Sequence, residues 1–190
     1  NYTNSPLILI TGATGFVGQR LLHRLEEKDK RIKVKIISRR LHKEYETVII
    51  DLQTDSITGD VLRGVDTVFH LAGYAHVTQD SSKVVDLYRS LNVVATVRLA
   101  ELAVESGIKR FVFVSSAKAG GKDEFDEGHP PEGVYGQTKR EAELKILEIG
   151  RQSGMHISIV RPCLVYGDGV KGNLALMFKG IEQGWFPPLP

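Results

Sequence analysis

Tyr135 and Lys139, in the run Val-Tyr-Gly-Gln-Thr-Lys, stand four residues apart at the head of a segment that reads as helix, Lys-Arg-Glu-Ala-Glu-Leu-Lys-Ile-Leu-Glu. On a helix, positions i and i+4 share a face, so a phenol and an ammonium would face one common site. A free tyrosine, with a pKa near ~10, exchanges protons poorly at neutrality. A neighbouring ammonium favours the phenolate, and a shift of about three units needs roughly 4 kcal/mol of differential stabilisation. The pair could therefore act as a proton donor and acceptor. Any helix can carry Tyr-x-x-x-Lys on a solvated face, so the rest of the chain must decide.

A second constellation lies near the N-terminus. Leu7-Ile8-Leu9-Ile10-Thr11 is a short aliphatic run, followed by Gly12-Ala13-Thr14-Gly15-Phe16-Val17-Gly18. The run reads as a buried parallel strand. Leu21, Leu22 and Leu25 then recur at helical spacing, which places the glycines at a strand-to-helix turn, the context of a dinucleotide-binding fingerprint. Gly12 would permit the tight turn, Gly15 would let backbone approach a pyrophosphate, and Gly18 would let the helix pack on the strand. The helix N-terminus would present free N–H groups to the anion.

The elements that must position these groups alternate. Strands are expected near 7–11, 32–38, 47–50, 67–70, 110–115 and 156–160, and helices near 15–27, 83–106 and 135–154, with a short one near 56–63. Such alternation predicts an α/β fold, a doubly wound parallel sheet of Rossmann type with helices on both faces. Ligands bind beyond the carboxyl ends of the strands in such sheets. Thr11, Ser38, His70, Ser116 and Arg161 all fall at those ends.

The Gly-x-x-Gly-x-x-Gly spacing together with Tyr135 and Lys139 resembles the extended short-chain dehydrogenase/reductase family, in its branch of nucleotide-sugar epimerases, dehydratases and reductases. Further segments match in order. Asp51-Leu52 follows the third strand, where the family's acidic residue meets the adenine. His70-Leu71-Ala72-Gly73 ends the fourth strand, and Asn92 lies in the helix behind the active site. Phe111-Val112-Phe113-Val114-Ser115-Ser116 is a strand ending in the family's active-site serine. Arg161-Pro162-Cys163-Leu164-Val165-Tyr166-Gly167 resembles the segment that closes over the nicotinamide.

The resemblance implies Tyr135 as acid/base on a substrate hydroxyl or ketone. Lys139 would depress its pKa and hold the nicotinamide ribose, and Ser116 would hydrogen-bond the reacting oxygen. Ser116 is preferred to Ser115, read as a satisfied strand-end hydroxyl, because Ala117 sets the register. The implied dinucleotide contacts are Gly12, Thr14, Gly15, Phe16, Val17 and Gly18 in the first turn, Arg39, Asp51 and Leu52 around the adenosine, and Leu71, Ala72 and Gly73 along the middle. Asn92, Val114, Tyr135, Lys139, Pro162 and Val165 would surround the nicotinamide. His70 reads as a strand-end residue, His76 and His129 as loop histidines, Asp123, Glu124, Asp126 and Glu127 as solvated, and Cys163 as a packed apolar thiol. No Cys/His spacing suggests a metal.

Two departures bear on function. Where NAD-preferring members carry an acidic residue after the second strand to meet the ribose 2′-OH, this chain has Arg39 and then Arg40, which suits a 2′-phosphate and favours NADP over NAD. The chain also stops at Trp185-Phe186-Pro187-Pro188-Leu189-Pro190. The expected organisation is a dinucleotide-binding domain over 1–166, with 167–190 the start of a substrate region, the C-terminal substrate domain being largely absent. The tail Gly167-Asp168-Gly169-Val170-Lys171-Gly172-Asn173 resembles the epimerase subgroup. A reductase of a non-sugar carbonyl, which Arg39 favours, is the alternative. A non-catalytic NADP-sensing regulator is a third reading, disfavoured because both Tyr135 and Lys139 are present.

Composition narrows the partners. At 190 residues, 42% apolar and 25% charged with a formal net charge of +2, the chain can bury one core. It shows no signature of disorder or of nucleic-acid binding, and the cluster Lys28 to Lys35 reads as a solvated helix end and strand edge. The single cysteine fits a reducing cytoplasm. No apolar run approaches the ~18 residues of a membrane span, and the polar start shows no signal peptide. The implied partners are a nucleotide sugar or another small carbonyl or hydroxyl substrate, and as an assembly a homodimer.

Overall fold

The computed structural model describes residues 5–74, 82–121, 128–170 and 173–185. Six strands, β1 (Leu7–Thr11), β2 (Lys33–Ser38), β3 (Glu46–Ile49), β4 (Thr67–His70), β5 (Arg110–Val114) and β6 (His156–Val160), form one sheet in the order β3-β2-β1-β4-β5-β6. Every pairing is parallel. This is the expected doubly wound Rossmann-type sheet, and its strand order reverses between β1 and β4, the switch point at which such sheets bind ligands.

The period-2 alternation of β1 divides the core. Ile8 and Ile10 join Ala13, Leu22 and Ile36 under helix α1 (Phe16–Lys28). Leu9 points the other way, into a larger cluster with Val68, Phe111, Phe113, Leu99, Ala142 and Ile146. That second face is covered by α3 (Thr96–Glu105) and α4 (Gly133–Ser153), preceded by α2 (Ser82–Arg89). Fully burying each of these large side chains contributes about 1.5–3 kcal/mol. Gly154, at φ +75°, ends α4 in the left-handed cap that frees the chain to enter β6.

The structure departs from the sequence reading in three places. The helix expected over 83–106 is interrupted by a π-helical segment, Ser90–Ala95, between α2 and α3. The short helix expected near 56–63 is a single 3₁₀ turn at Gly59–Leu62, because four residues cannot sustain an α-helical ladder. A further helix, α5 (Asn173–Glu182), follows the segment after β6, with Leu176, Phe178 and Ile181 exposed, as is Trp185 beyond it. Residues 186–190 lie outside the described residues, as do His76, Asp123, Glu124, Asp126 and Glu127. No helix among the described residues is long and apolar enough to cross a membrane.

His70, at the C-terminal end of β4, ties this framework to the switch point. It is fully buried and stacks on Phe113 with ring centroids 5.7 Å apart. Its Nδ1 lies 2.6 Å from Thr11 Oγ1 and its Nε2 2.8 Å from Thr96 Oγ1. Thr11 Oγ1 in turn accepts the Ala72 N–H. Burial, with the Lys139 charge adding to it, pushes His70 from 6.5 down to about 3. The folded state therefore binds fewer protons than the unfolded one across that window. The resulting stability is complete above pH 6.5 and is lost as pH falls toward 3. Urea unfolding should show a decline of up to roughly 5 kcal/mol over this range that His70→Asn lacks. Equal pH slopes for both proteins would refute the assignment.

Candidate active site

The glycine turn is built by close backbone approach. Gly12, at φ +70°, leaves β1 with no room for a side chain, since a Cβ there would lie 2.6 Å from the Ala72 nitrogen. Gly18 sits in the first turn of α1, and a Cβ on it would collide with the Gly12 carbonyl. Helix α1 thus starts directly over the end of β1. Gly15 caps it without a side-chain hydrogen bond, and its first turn holds no acidic residue. Its leading amides are free to hold an anion, as a pyrophosphate would require.

Beyond these strand ends runs a cleft of about 990 Å³. Of the residues expected to meet a dinucleotide, Gly12, Thr14, Gly15, Arg39, Asp51, Leu52, Leu71, Ala72 and Gly73 line it. Asp51 accepts the Gln53 N–H on Oδ1 at 3.0 Å, which fixes its carboxylate in the turn after β3. Ser38 and Arg40, noted beside the expected site, also line the cleft, as do Leu41, His42, Gln53, Tyr74 and Leu91, which the sequence did not single out. Most lie one to three positions from a named residue beyond the same strand end, which is the signal that could have found them. Arg39 is exposed and has no ion-pair partner among the described residues.

Phe16, Val17, Gly18, Asn92, Val114, Pro162 and Val165 do not line the cleft, and neither do Ser116, Tyr135 and Lys139. The last three form the group at its inner end. Ser116 Oγ accepts the Lys118 N–H at 3.2 Å, and its side chain acts on the Tyr135 phenol, favouring the phenolate. The approach depends on Gly136, where any side chain would strike the Lys118 carbonyl and hold α4 away from the turn after β5. Lys139 is 3% exposed, donates from Nζ to the Val114 carbonyl at 2.9 Å and lies over the Phe113 ring. Gly73 joins the two regions: it lines the cleft, and a Cβ there would be 3.0 Å from Lys139 Nζ and 3.1 Å from Asn92 Oδ1. Asn92, in the π-helical turn, accepts the Tyr74 N–H at 2.7 Å and donates to Tyr74 O and Thr138 Oγ1. It fixes the backbone beside the cleft from behind. Ala117 N–H donates to Pro162 O at 3.0 Å, bringing the segment after β6 to the same end. Arg20, stacked 3.8 Å over Phe16, donates to the Asp168 carbonyl and holds that segment against α1.

The electrostatics differ from the sequence expectation. Lys139 was expected to depress Tyr135, yet the Tyr135 phenol is raised, by burial first and by Tyr88, with Ser116 opposing. The reason is local. The ammonium is drawn under β5 to the Val114 carbonyl, whereas the phenol sits against Ser116 and Tyr88, whose ring centroid is 6.2 Å from its own. Burial lowers Lys139 to about 8, and Glu143 opposes that fall. Glu143, absent from the sequence reading, is fully buried. It takes a two-pronged bond from Arg161, Nε to Oε1 at 2.9 Å and a terminal nitrogen to Oε2 at 2.6 Å, with Arg140 at 3.3 Å.

Two lesser expectations also change. The Ser115 hydroxyl, expected to be satisfied, is enclosed without a partner among the described residues. Cys163 is exposed rather than packed, because the chain leaves the sheet edge at Pro162.

Residues 8–185 match the model of the NAD dependent epimerase/dehydratase family. The chain belongs to that family. It is 36% identical over 195 residues to a UDP-glucose 4-epimerase of Vibrio cholerae, covering 96% of this chain and 58% of that protein. A 3-beta-hydroxysteroid dehydrogenase of Mycolicibacterium neoaurum is 28% identical over 197 residues, covering 96% and 54%. Among solved structures, MoeE5 in complex with UDP-glucuronic acid and NAD superposes with a TM-score of 0.76 at 30% identity, covering 91% of this chain and 60% of that one. The chain spans less than two thirds of the length of these relatives.

Proposed function

We propose that the protein is an NAD(P)-dependent nucleotide-sugar epimerase, or a closely related 4-keto sugar-nucleotide dehydrogenase/reductase. The observation that carries this reading is the junction at Gly73, where the dinucleotide-sized cleft meets the Ser116–Tyr135–Lys139 group. The similarity to a UDP-glucose 4-epimerase and to a protein holding a UDP-sugar acid with NAD supports the substrate class. When bound, the nicotinamide supplies a reversible hydride acceptor. Tyr135 Oη, as the phenolate, takes the proton of a sugar hydroxyl as that hydroxyl becomes a ketone, and as the phenol returns it on reduction. Ser116 Oγ hydrogen-bonds the same oxygen and steadies the charge that develops there. The Lys139 ammonium would hold the nicotinamide ribose, and its charge within reach of Tyr135 Oη would favour the phenolate. Asp51 and Leu52 hold the adenosine end, and the first amides of α1 hold the pyrophosphate.

The alternative, reduction of a non-sugar carbonyl, draws support from the hydroxysteroid dehydrogenase relative. A turnover assay with UDP-hexoses and with simple ketones separates the two. Turnover confined to the ketones would overturn the sugar reading. Arg39, at the adenosine rim, favours a 2′-phosphate through charge-assisted bonds. Arg39→Ala should weaken NADP about tenfold, or ~1.4 kcal/mol, while NAD affinity stays within about twofold, both read by fluorescence titration. Equal affinities that both survive the substitution would end the NADP preference.

A further inference from the structure

Glu143 lies one helical turn beyond Lys139 on α4, on the buried face, with its carboxylate gripped by Arg161 from the end of β6 and by Arg140. Its neighbour two residues earlier behaves differently: Glu141 meets Arg89 at the surface. A fully buried carboxylate is costly unless paired, and this one is paired to the residue immediately before Pro162. The pairing joins the helix carrying Tyr135 and Lys139 to the strand end that leads into the Pro162 segment.

Lys139 is itself buried, between the β4 loop at Gly73, the Phe113 ring and Val114 carbonyl of β5, and its own helix. Its ammonium has lost most of its water, so a compensating charge must come from the protein. Glu143 stands one turn after it and Tyr135 one turn before it on the same face of α4, and His70 of β4 stacks on the Phe113 ring over which the ammonium lies. The ammonium's charge acts on His70, and the charge of Glu143 acts on the ammonium. Burial keeps His70 neutral across the physiological range. Of His70 and Glu143, only the latter offers a compensating charge, and Arg161 and Arg140 bind its carboxylate.

We propose that Glu143 is a positioning residue of the coenzyme site. Anchored by Arg161 and Arg140, its carboxylate keeps the buried Lys139 ammonium charged and seated, and at the same time locks α4 to the end of β6. Glu143 acts through Lys139 and touches neither substrate nor coenzyme. The second arm of the test rests on the nicotinamide-dinucleotide reading; the first does not.

In the first arm the Lys139 side-chain signal of the isotopically labelled chain is titrated by NMR without coenzyme and assigned by its loss in Lys139→Gln. Glu143→Gln should move the Lys139 midpoint down by at least about half a pH unit, and the wild-type Glu143 carboxyl signal should report the Lys139 midpoint through their coupling. A midpoint that stays in place in folded Glu143→Gln would overturn the proposal. So would a wild-type Glu143 signal blind to the Lys139 titration, which decides the matter even if the variant fails to fold. In the second arm, NADH affinity is followed against pH. The alkaline loss of affinity should move to lower pH in Glu143→Gln together with the lysine midpoint. A uniform drop at every pH would mean mere structural damage and would overturn it. Failure of the wild-type chain to bind NADH would count against the coenzyme reading, leaving the first arm to decide on Glu143.

Discussion

Tyr135→Phe, placed in a length of this protein that turns over its substrate, should lose about a thousandfold or more in kcat while coenzyme affinity stays within about threefold. The ring keeps its packing against Tyr88, so only the oxygen is deleted. Burial raises the phenol above its ordinary pKa, with Ser116 opposing, so near neutrality it stands as an acid until a charge reaches it. Removing a positioned general acid/base typically forfeits about 10²–10⁴ in rate. If the variant keeps more than about a tenth of wild-type kcat, a transition-state loss below ~1.4 kcal/mol, the proton is carried by another group.

Gly18→Ala should show the second large effect, on binding and stability together. The added methyl would collide with the Gly12 carbonyl and lie 2.6 Å from the Ala13 carbonyl oxygen. Both contacts are backbone, and the turn cannot yield while Gly12 is itself pressed against Ala72. Helix α1 must then lift from β1. Overpacking of this kind costs about 1–3 kcal/mol, a fall in melting temperature of roughly 2–12 °C for a chain of this size. The free amides of α1 move with the helix, so dinucleotide affinity should drop at least about tenfold. Thermal melts with and without NAD measure both. A variant with unchanged affinity would show that the first turn of α1 does not hold the pyrophosphate.

What could be read from the sequence was what depends on local pattern. The aliphatic runs at Leu7–Thr11, Thr67–His70 and His156–Val160 are strands with the expected bounds, because each is closed by turn residues. The switch-point cleft followed from strand–helix alternation, and nine of the expected contacts line it. Tertiary facts were not legible. Periodicity cannot distinguish a continuous helix from one with a wide turn at Ser90–Ala95, yet that turn is where Asn92 reaches Tyr74. Glu143 reads as one more charged residue on a polar helix until Arg161, 18 positions away, is seen to meet it. His70 reads as a strand end, and its two threonine partners come from β1 and α3. The expected action of Lys139 on Tyr135 followed from spacing alone, and the Val114 carbonyl, a neighbour supplied by the sheet, takes the ammonium instead.

The most direct test is an NMR titration of NAD into the isotopically labelled chain. If the strand-end cleft and the Ser116–Tyr135–Lys139 group belong to one coenzyme site, the amides of Gly12 to Gly18, Asp51, Leu52, Ala72 and Gly73 should shift with a single dissociation constant, and the Lys139 side-chain signal should move at that same concentration. Shifts confined to the adenosine end, with Lys139 unmoved at saturation, would contradict it, as would no shift at all up to millimolar NAD.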